Sequence, residues 1–495
     1  MTDTMTAVEQ VAGLCDLAAD LVRGTPRAAE VDRVVARLHG PLRVAIAGRV
    51  KAGKSTLLNA LVGERLAATD AGECTTLVTW YQDGLTYDVH AIGRDGVATE
   101  VPFHRADGAL HIDLGALDPA AIDHLVVTWP SSALRDLTLI DTPGLASIDD
   151  GNSLRTREFL AMGEDRPSDA DAVIYLMRHL HRRDAEFLGA FLDRSVAASS
   201  PINAVSVLSR ADEVGACRLD AMASATRIAQ RYQTDPVVRS LCTNVVPMAG
   251  LLAETGLTLR EEEATALRSL AATPEDELER MLLSSDGFCD PGSSDLTIEI
   301  RRDLLDRLGL YGLRLLVHEI QAGRCTTGGD MARLLVTYSG LAGLRELISE
   351  RFLPRARVLQ ARAALGALRD LARDLTMDDP EAGRRLDAEV ERVESSVLDF
   401  GQLRLAHLVL SGLVAFSPAE HAEMERLLLV DAPLVARVAL DEGAGLAEVQ
   451  GAALAAVGRW RTRAAEPMQD SAHAEACETM AHSFEALYAE AAATG

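Results

Sequence analysis

The chain almost lacks lysine. Of its 49 basic residues only Lys51 and Lys54 are lysine, and all the others are arginine. Both lysines fall in one eight-residue stretch, where a compact ammonium does what a planar guanidinium fork cannot copy. Aromatic residues are also scarce, at 4%. Positive charge is outweighed, with 74 acidic residues and a formal net charge of −25. That balance excludes nonspecific nucleic-acid binding, which depends on basic residues neutralising phosphates. It also excludes whole-surface attraction to anionic lipid, leaving room only for a local basic or apolar tip. The seven cysteines are scattered, odd in number and without a C-x-x-C pair, which points to reduced thiols. Met1-Thr2-Asp3-Thr4 has no basic-then-apolar leader pattern. No uncharged apolar run reaches the roughly 18–20 residues that span a bilayer. The strongest candidate, Leu408 to Phe416, is far too short. These absences predict a cytoplasmic protein.

What is present is a phosphate-binding loop. Gly48-Arg49-Val50-Lys51-Ala52-Gly53-Lys54-Ser55 reads G-x-x-x-x-G-K-S. The apolar run Leu42–Ala47 before it reads as a buried strand, and Ser55-Thr56-Leu57-Leu58 opens a helix. Glycines let main-chain N–H groups turn onto phosphate oxygens, and the helix N-terminus adds partial positive charge. Lys54 is the expected ligand of the β- and γ-phosphates, and Ser55 of Mg²⁺.

A phosphate loop alone leaves ATP and GTP open, and later stretches choose between them. Leu139-Ile140-Asp141-Thr142-Pro143-Gly144 ends a strand with D-x-x-G. Asp141 can hold Mg²⁺ through water, and the Gly144 N–H can meet the γ-phosphate. Ser209-Arg210-Ala211-Asp212 ends another strand in the pattern [N/T]-K-x-D, altered to S-R-x-D. The Asp212 carboxylate can accept from the guanine N1–H and 2-amino group, a donor pair that adenine lacks. Arg210 can stack its guanidinium on the base. Ala249, in the loop after the next strand, would touch the base through its backbone. Between the first two motifs lies Glu73-Cys74-Thr75-Thr76. Thr75 is the expected switch residue, closing on Mg²⁺ when the γ-phosphate is present, with Thr76 as the alternative register.

At 495 residues the chain should hold two or three domains. Residues 1–38 read as a helical arm that needs a partner, punctuated at Gly24-Thr25-Pro26. Residues 39–256 alternate strand and helix. Strand-like runs fall at Leu42–Ala47, Leu77–Tyr81, Tyr87–Ile92, Leu125–Trp129, Leu137–Ile140, Ala172–Met177, Ile202–Leu208 and Asn244–Pro247. They predict an α/β domain with a mostly parallel sheet and an antiparallel pair inserted after the first helix. Residues 257–495 read as an elongated all-α bundle, with helical runs near 341–376, 383–414 and 443–490.

At Lys51–Gly63, Thr76–Tyr81, Ile140–Gly144 and Ser209–Glu213 the sequence resembles the dynamin superfamily of large GTPases. It is most similar to actinobacterial dynamin-like proteins of the isoniazid-inducible pair, in their shorter, C-type form. The resemblance implies GTP hydrolysis to GDP with Mg²⁺, nucleotide-dependent pairing of GTPase heads or association with a paralogue, and a helical neck and trunk. It also implies membrane remodelling or fission by a protein held peripherally at the inner face of the cell membrane. Two positions depart from that pattern. Where relatives keep a glutamine that orients the attacking water, this chain has Val50. Where they keep a small hydroxyl residue that helps hold a monovalent cation, it has Lys51. The Lys51 ammonium then stands in for that cation, stabilising charge that develops between the phosphates; the plainer reading is an exposed loop side chain.

Weaker signals each have a plain reading. Arg178-His179-Leu180-His181-Arg182-Arg183 is a solvated helix start, or a loop that offers an arginine across a dimer. Leu408–Pro418 is a buried helix end, or a lipid-inserting tip. Arg459-Trp460-Arg461-Thr462-Arg463 is an ordinary bundle face, or a headgroup contact. Two further functions compete with a membrane-remodelling GTPase. One is a low-turnover scaffold partnering an active relative, kept open by Val50. The other is a GTPase switch on ribosome or RNA, which the −25 charge disfavours.

Overall fold

The computed structural model describes residues 6–67, 77–106, 109–143, 170–178, 203–239, 241–242, 244–290, 296–411, 414–428, 432–467 and 470–494. Strands β1 (Leu42–Gly48), β9 (Ala172–Met177) and β10 (Ala204–Ser209) are buried on both faces, as their unbroken apolar runs require. They lie side by side in a nine-stranded sheet with β2 (Val78–Gln82), β3 (Asp88–Gly93), β4 (Ala98–Glu100), β7 (Ile122–Thr128), β8 (Leu137–Asp141) and β11 (Val245–Met248). The order is β11-β10-β9-β1-β8-β2-β7-β3-β4. Strands β5 (Phe103–Ala106) and β6 (Ala109–Ile112) make a separate hairpin. Pairing is parallel from β11 to β8 and between β2 and β7, and antiparallel at β2–β8, β3–β7 and β3–β4.

The eight expected strands are all present, shifted by up to three residues at their ends. Antiparallel pairing is present after the first helix, in β3 with β7 and with β4. β2 and β3 do not touch as partners, because β7 returns from a distance in sequence and inserts between them. The parallel register of β1 with β8 and β9 sets Ile46 beside Asp141 and Gly48 beside Leu176. The carboxyl ends of these strands therefore converge at one edge, where ligands of α/β sheets bind.

The helical arm is α1 (Ala7–Leu21) and α2 (Ala28–His39), separated at the expected turn. Thr6 caps α1 reciprocally with Glu9. Helix α3 (Lys54–Val62) follows the phosphate loop. After β10 come α4 (Ala221–Thr234), α5 (Gly250–Thr258), α6 (Glu261–Ala271), α7 (Glu275–Met281), α8 (Ile298–Gln321) and α9 (Gly328–Tyr338). Helices α8 and α9 pack against α5 and α6 on the flank of the sheet domain.

The bundle begins with α10 (Leu341–Leu347) and α11 (Ala356–Asp378). The run from 341 to 376 is not one helix. Pro354 has no N–H to donate and clashes with the preceding turn, and the chain passes through a π-turn at Ile348–Phe352 and a 3-10 turn at Leu353–Arg355. The 383–414 run likewise splits at extended Val397 into α12 (Pro380–Ser396) and α13 (Leu398–Ser411). Near Pro467 the last run folds back as α15 (Leu446–Ala464) and α16 (Ser471–Thr494), following α14 (Pro418–Leu427). The arm lies on the bundle, with α1 on α11 and α12 and α2 on α11. Val11, Leu14, Leu359 and Leu365 share one continuous core with Val44 and Ile46 of the sheet. Each such side chain contributes about 1.5–3 kcal/mol by leaving water.

Candidate nucleotide site

The phosphate loop starts at the buried end of β1. Gly48 has φ +149°, and a Cβ there would stand 2.6 Å from the Leu176 carbonyl oxygen of β9. Only glycine lets the chain leave the sheet so close to its neighbour. Helix α3 then opens at Lys54, with Gly53 at its N-cap, so its first N–H groups face the loop. Lys54 is 9% exposed, and its ammonium donates to the Gly48 carbonyl across the loop at 3.4 Å. Arg49, Val50 and Lys51 are exposed, Ala52 is buried, and Thr56 packs near Gly250. Lys51 holds a left-handed φ of +60°.

Ser55 and Asp141 come together from different elements. The Ser55 hydroxyl donates to Asp141 Oδ2 at 3.0 Å, while Asp141 Oδ1 is buried with no hydrogen-bond partner among the described residues. A hydroxyl and a carboxylate with one orphaned oxygen form a hard-oxygen donor set that suits Mg²⁺. Burial pushes the Asp141 carboxyl up, and Lys54 and the Ser55 hydrogen bond draw it back. Burial pushes the Lys54 ammonium down, and Asp141 opposes that. Each thus holds the other's charge in a site that desolvates both. Thr142, next in chain, is pinned by its hydroxyl to the Ile46 carbonyl at 2.9 Å, which fixes β8 against β1.

The base motif lies at the end of β10. The Ser209 hydroxyl donates to the Met177 carbonyl at 3.3 Å and is committed to the sheet. Arg210, at φ +53°, turns its guanidinium to the phosphate loop and donates to the Lys51 carbonyl at 3.1 Å. It also pairs with Glu213 at 2.7 Å, and Arg178 reaches the other Glu213 oxygen at 2.8 Å. Asp212 is 7% exposed, and burial pushes its carboxyl up to about 6, with Arg210 and Arg178 opposing. Ala249 is buried, and its N–H is taken by the Ser339 carbonyl at 2.9 Å, a packing contact that holds β11 to the end of α9.

The structure therefore brings Lys54, Ser55 and Asp141 into one cluster and links Arg210 to it through Lys51. Thr75, Thr76, Gly144 and the stretch His179–Arg183 lie outside the described residues. Of the weaker signals, Val409 and Val414 are buried, and the Phe416 ring lies 4.3 Å from that of His473. Trp460 is buried too, and Arg459, Arg461 and Arg463 are each ion-paired to glutamates. Sequence reasoning did not assign Glu213 a role, nor Arg314 and Arg345, whose partners are main-chain carbonyls.

Comparison with known proteins adds an independent line. The model of the Dynamin family matches residues 44–195. Isoniazid-induced protein IniC of Mycobacterium tuberculosis is 38% identical over 467 residues, spanning 93% of this chain and 92% of that protein. The bacterial dynamin-like protein of Nostoc punctiforme is 28% identical over 163 residues, 28% of this chain and 21% of its own. A solved chain from an oligomerised bacterial dynamin pair covers 100% of this chain and 92% of its own, at 13% identity and a TM-score of 0.34.

Proposed function

The chain belongs to the dynamin family, and from that premise we propose that it hydrolyses GTP with Mg²⁺ and couples association of its heads to membrane remodelling or fission. The observation that carries the reading is the convergence of Lys54, Ser55 and Asp141 at the carboxyl ends of β1 and β8, tied to the base motif by the Arg210–Lys51 bond. Lys54 would exchange the Gly48 carbonyl for phosphate oxygens, which are stronger acceptors. Loop N–H groups from Gly48 to Thr56 would hold the remaining phosphate oxygens. Ser55 and Asp141, with Thr75, would hold Mg²⁺, which when bound neutralises charge between the β- and γ-phosphates. Asp212 would read the guanine edge, with Ser209, Arg210 and Ala249 around it. Gly144 would meet the γ-phosphate, and release of Thr75 after hydrolysis would relax the switch.

Residues 39–256, with helices α6 to α9 packed on their flank, would form the GTPase head, the helices from α10 onward the neck and trunk, and 1–38 an arm that completes the bundle. Among the described residues no helix is long and apolar enough to cross a membrane. Contact with lipid would therefore be peripheral, at the inner face of the cell membrane, with the heads pairing with a second copy or a dynamin-like paralogue. A second reading rests on Val50, 47% exposed where relatives keep a water-orienting glutamine: a chain that binds GTP but turns it over slowly as partner to an active relative.

GTP turnover of the full chain, alone, with anionic liposomes, and with a paralogue, separates the two. Stimulation by liposomes together with tubulation or fission supports the first. Slow turnover that only the paralogue accelerates supports the second. A Lys54→Ala protein that hydrolyses GTP at the parent rate would remove the site assignment altogether.

A further inference from the structure

Three consecutive residues just after the base motif have left-handed backbones: Gly215 at φ +64°, Ala216 at +60° and Cys217 at +58°. Glycine accepts that conformation freely, but Ala216 and Cys217 do not. Such a turn persists only where its surroundings over-determine it. Here the surroundings are one helix of the flanking layer, α8, and chiefly one side chain on it. Arg314 Nη1 donates to the Ala216 carbonyl at 2.8 Å and the Cys217 carbonyl at 2.7 Å. The other side of the fork, Nε and Nη2, donates to the Leu282 carbonyl at 3.0 and 2.6 Å, and Nη2 reaches the Leu283 carbonyl at 3.4 Å. A single planar guanidinium thus clamps the turn to the segment after α7, which a lysine's single nitrogen cannot span.

The same helix reaches the base motif itself. It kinks at Gly309, with φ +63° and ψ 174°. A Cβ at Gly309 would lie 3.7 Å from Asp212 Oδ2. Between the two points Tyr311 is fully buried, and its backbone opposes the upward push that burial gives the Cys217 thiol. The segment 309–314 therefore follows the loop 212–217 along its length, touching it at both ends and in the middle.

We propose that Arg314 is a positioning residue for guanine recognition, holding the left-handed 215–217 turn so that the Asp212 carboxylate is aimed at the base. The inference rests on the reading of Asp212 as the guanine-edge acceptor. It differs from a plain structural tie in what it predicts. A tie would change stability, and with it the affinity for every nucleotide alike. A positioning residue changes the preference that Asp212 creates.

The test is the equilibrium affinity of the full chain for GTP and for ITP, whose base lacks the 2-amino group. It is run on the parent, Arg314→Lys, Arg314→Ala and the control Arg268→Ala, which removes an ion pair to Glu261 and a hydrogen bond to the Thr265 hydroxyl. The parent and the control prefer GTP. In the Arg314 variants the GTP-over-ITP ratio falls by roughly tenfold, the worth of one hydrogen bond to a charged acceptor. Thermal melting confirms that each variant is folded; should Arg314→Ala fail to fold, Arg314→Lys decides by the same ratio. An unchanged ratio, or an equal loss for both nucleotides, overturns the inference while leaving the GTP reading intact. A parent with no preference for GTP over ITP overturns the reading of Asp212 and this inference with it.

Discussion

The arm is joined to the sheet by a buried ion pair whose removal has a calculable cost. Arg37 of α2 donates through Nε and Nη2 to Asp171 Oδ1 at 3.1 and 2.7 Å. The other carboxylate oxygen accepts the N–H of Arg43, the second residue of β1, at 2.9 Å. The two side chains are 8% and 0% exposed. Arg37→Ala would leave a fully buried carboxylate with one N–H for company, at a cost of about 3–5 kcal/mol. Replacing both residues by leucine removes the stranded charge. What remains is the orphaned Arg43 N–H, worth about 1–3 kcal/mol. The double variant should therefore be more stable than the single one. A chain with several cores need not unfold in one step, so the assay is amide hydrogen exchange read at α2 and β9. Arg37→Ala should speed exchange there by roughly a hundredfold or more, since each 1.4 kcal/mol is a factor of ten. The double variant should recover much of that protection. Exchange within about threefold of the parent in Arg37→Ala, or a double variant as labile as the single, would refute the reasoning.

Other consequences are measurable in the same way. Lys51→Ala should lower GTP turnover by about tenfold or more in potassium-free buffer if its ammonium stabilises developing phosphate charge; turnover at the parent rate there removes that role. If the Asp212 carboxyl, held up to about 6 by burial, reads guanine, it must be ionised to accept the guanine donors. The GDP-over-IDP affinity ratio should therefore be full above pH 7 and decline as pH falls through about 6, phosphate ionisation near the same pH cancelling in the ratio; a flat ratio from pH 5 to 8 contradicts it. For stability the sign is opposite. A carboxyl whose folded pKa lies above its unfolded value stabilises the fold at low pH, and that contribution is lost as pH rises through about 6. Arg345 of α10 donates to the Ala60 and Leu61 carbonyls at the C-terminus of α3, at 2.9 and 3.2 Å. Arg345→Ala should lower the melting temperature by an amount equivalent to roughly 1–3 kcal/mol, and an unchanged melting temperature rules the contact out as a source of stability.

Local spacing carried what was legible in the sequence. The central strands announced themselves because burial on both faces demands unbroken apolar runs. The edge strand β4, Ala98-Thr99-Glu100, is exposed at every residue, so no pattern marks it. The partners of β2 and β3 leave no local mark: β7 arrives from some forty residues after β2 and inserts between them, and periodicity says nothing of who pairs with whom. In the helical half Pro354 and Pro467 mark breaks inside the runs 341–376 and 443–490, whereas the break at Val397 has no proline or glycine to mark it. The phosphate cluster was legible because Lys54 and Ser55 sit in one loop and Asp141 ends a recognisable strand. The Arg37–Asp171 pair spans 134 positions and leaves no trace in either neighbourhood.

The near-absence of lysine has a structural counterpart. Where helical elements meet the sheet domain or one another, the joining group is repeatedly a guanidinium that bonds several acceptors at once. Arg37 takes one carboxylate oxygen twice, Arg314 takes four carbonyls, and Arg345 takes two. Arg301, buried to 1% exposure, donates to the Phe288 and Asp290 carbonyls at 2.8 and 3.0 Å. A lysine in those places offers one nitrogen with no fixed fork, and burial disfavours its charge, as the downward push on Lys54 illustrates. Arginine keeps its charge and satisfies carbonyls that would otherwise be left bare. In the phosphate loop the preference reverses. A ligand that brings several negative charges would favour the charged ammonium, and a compact donor suits a loop of main-chain N–H groups. The composition thus divides the two cations by task, with guanidinium for fixed joints between elements and ammonium for a charge that comes and goes.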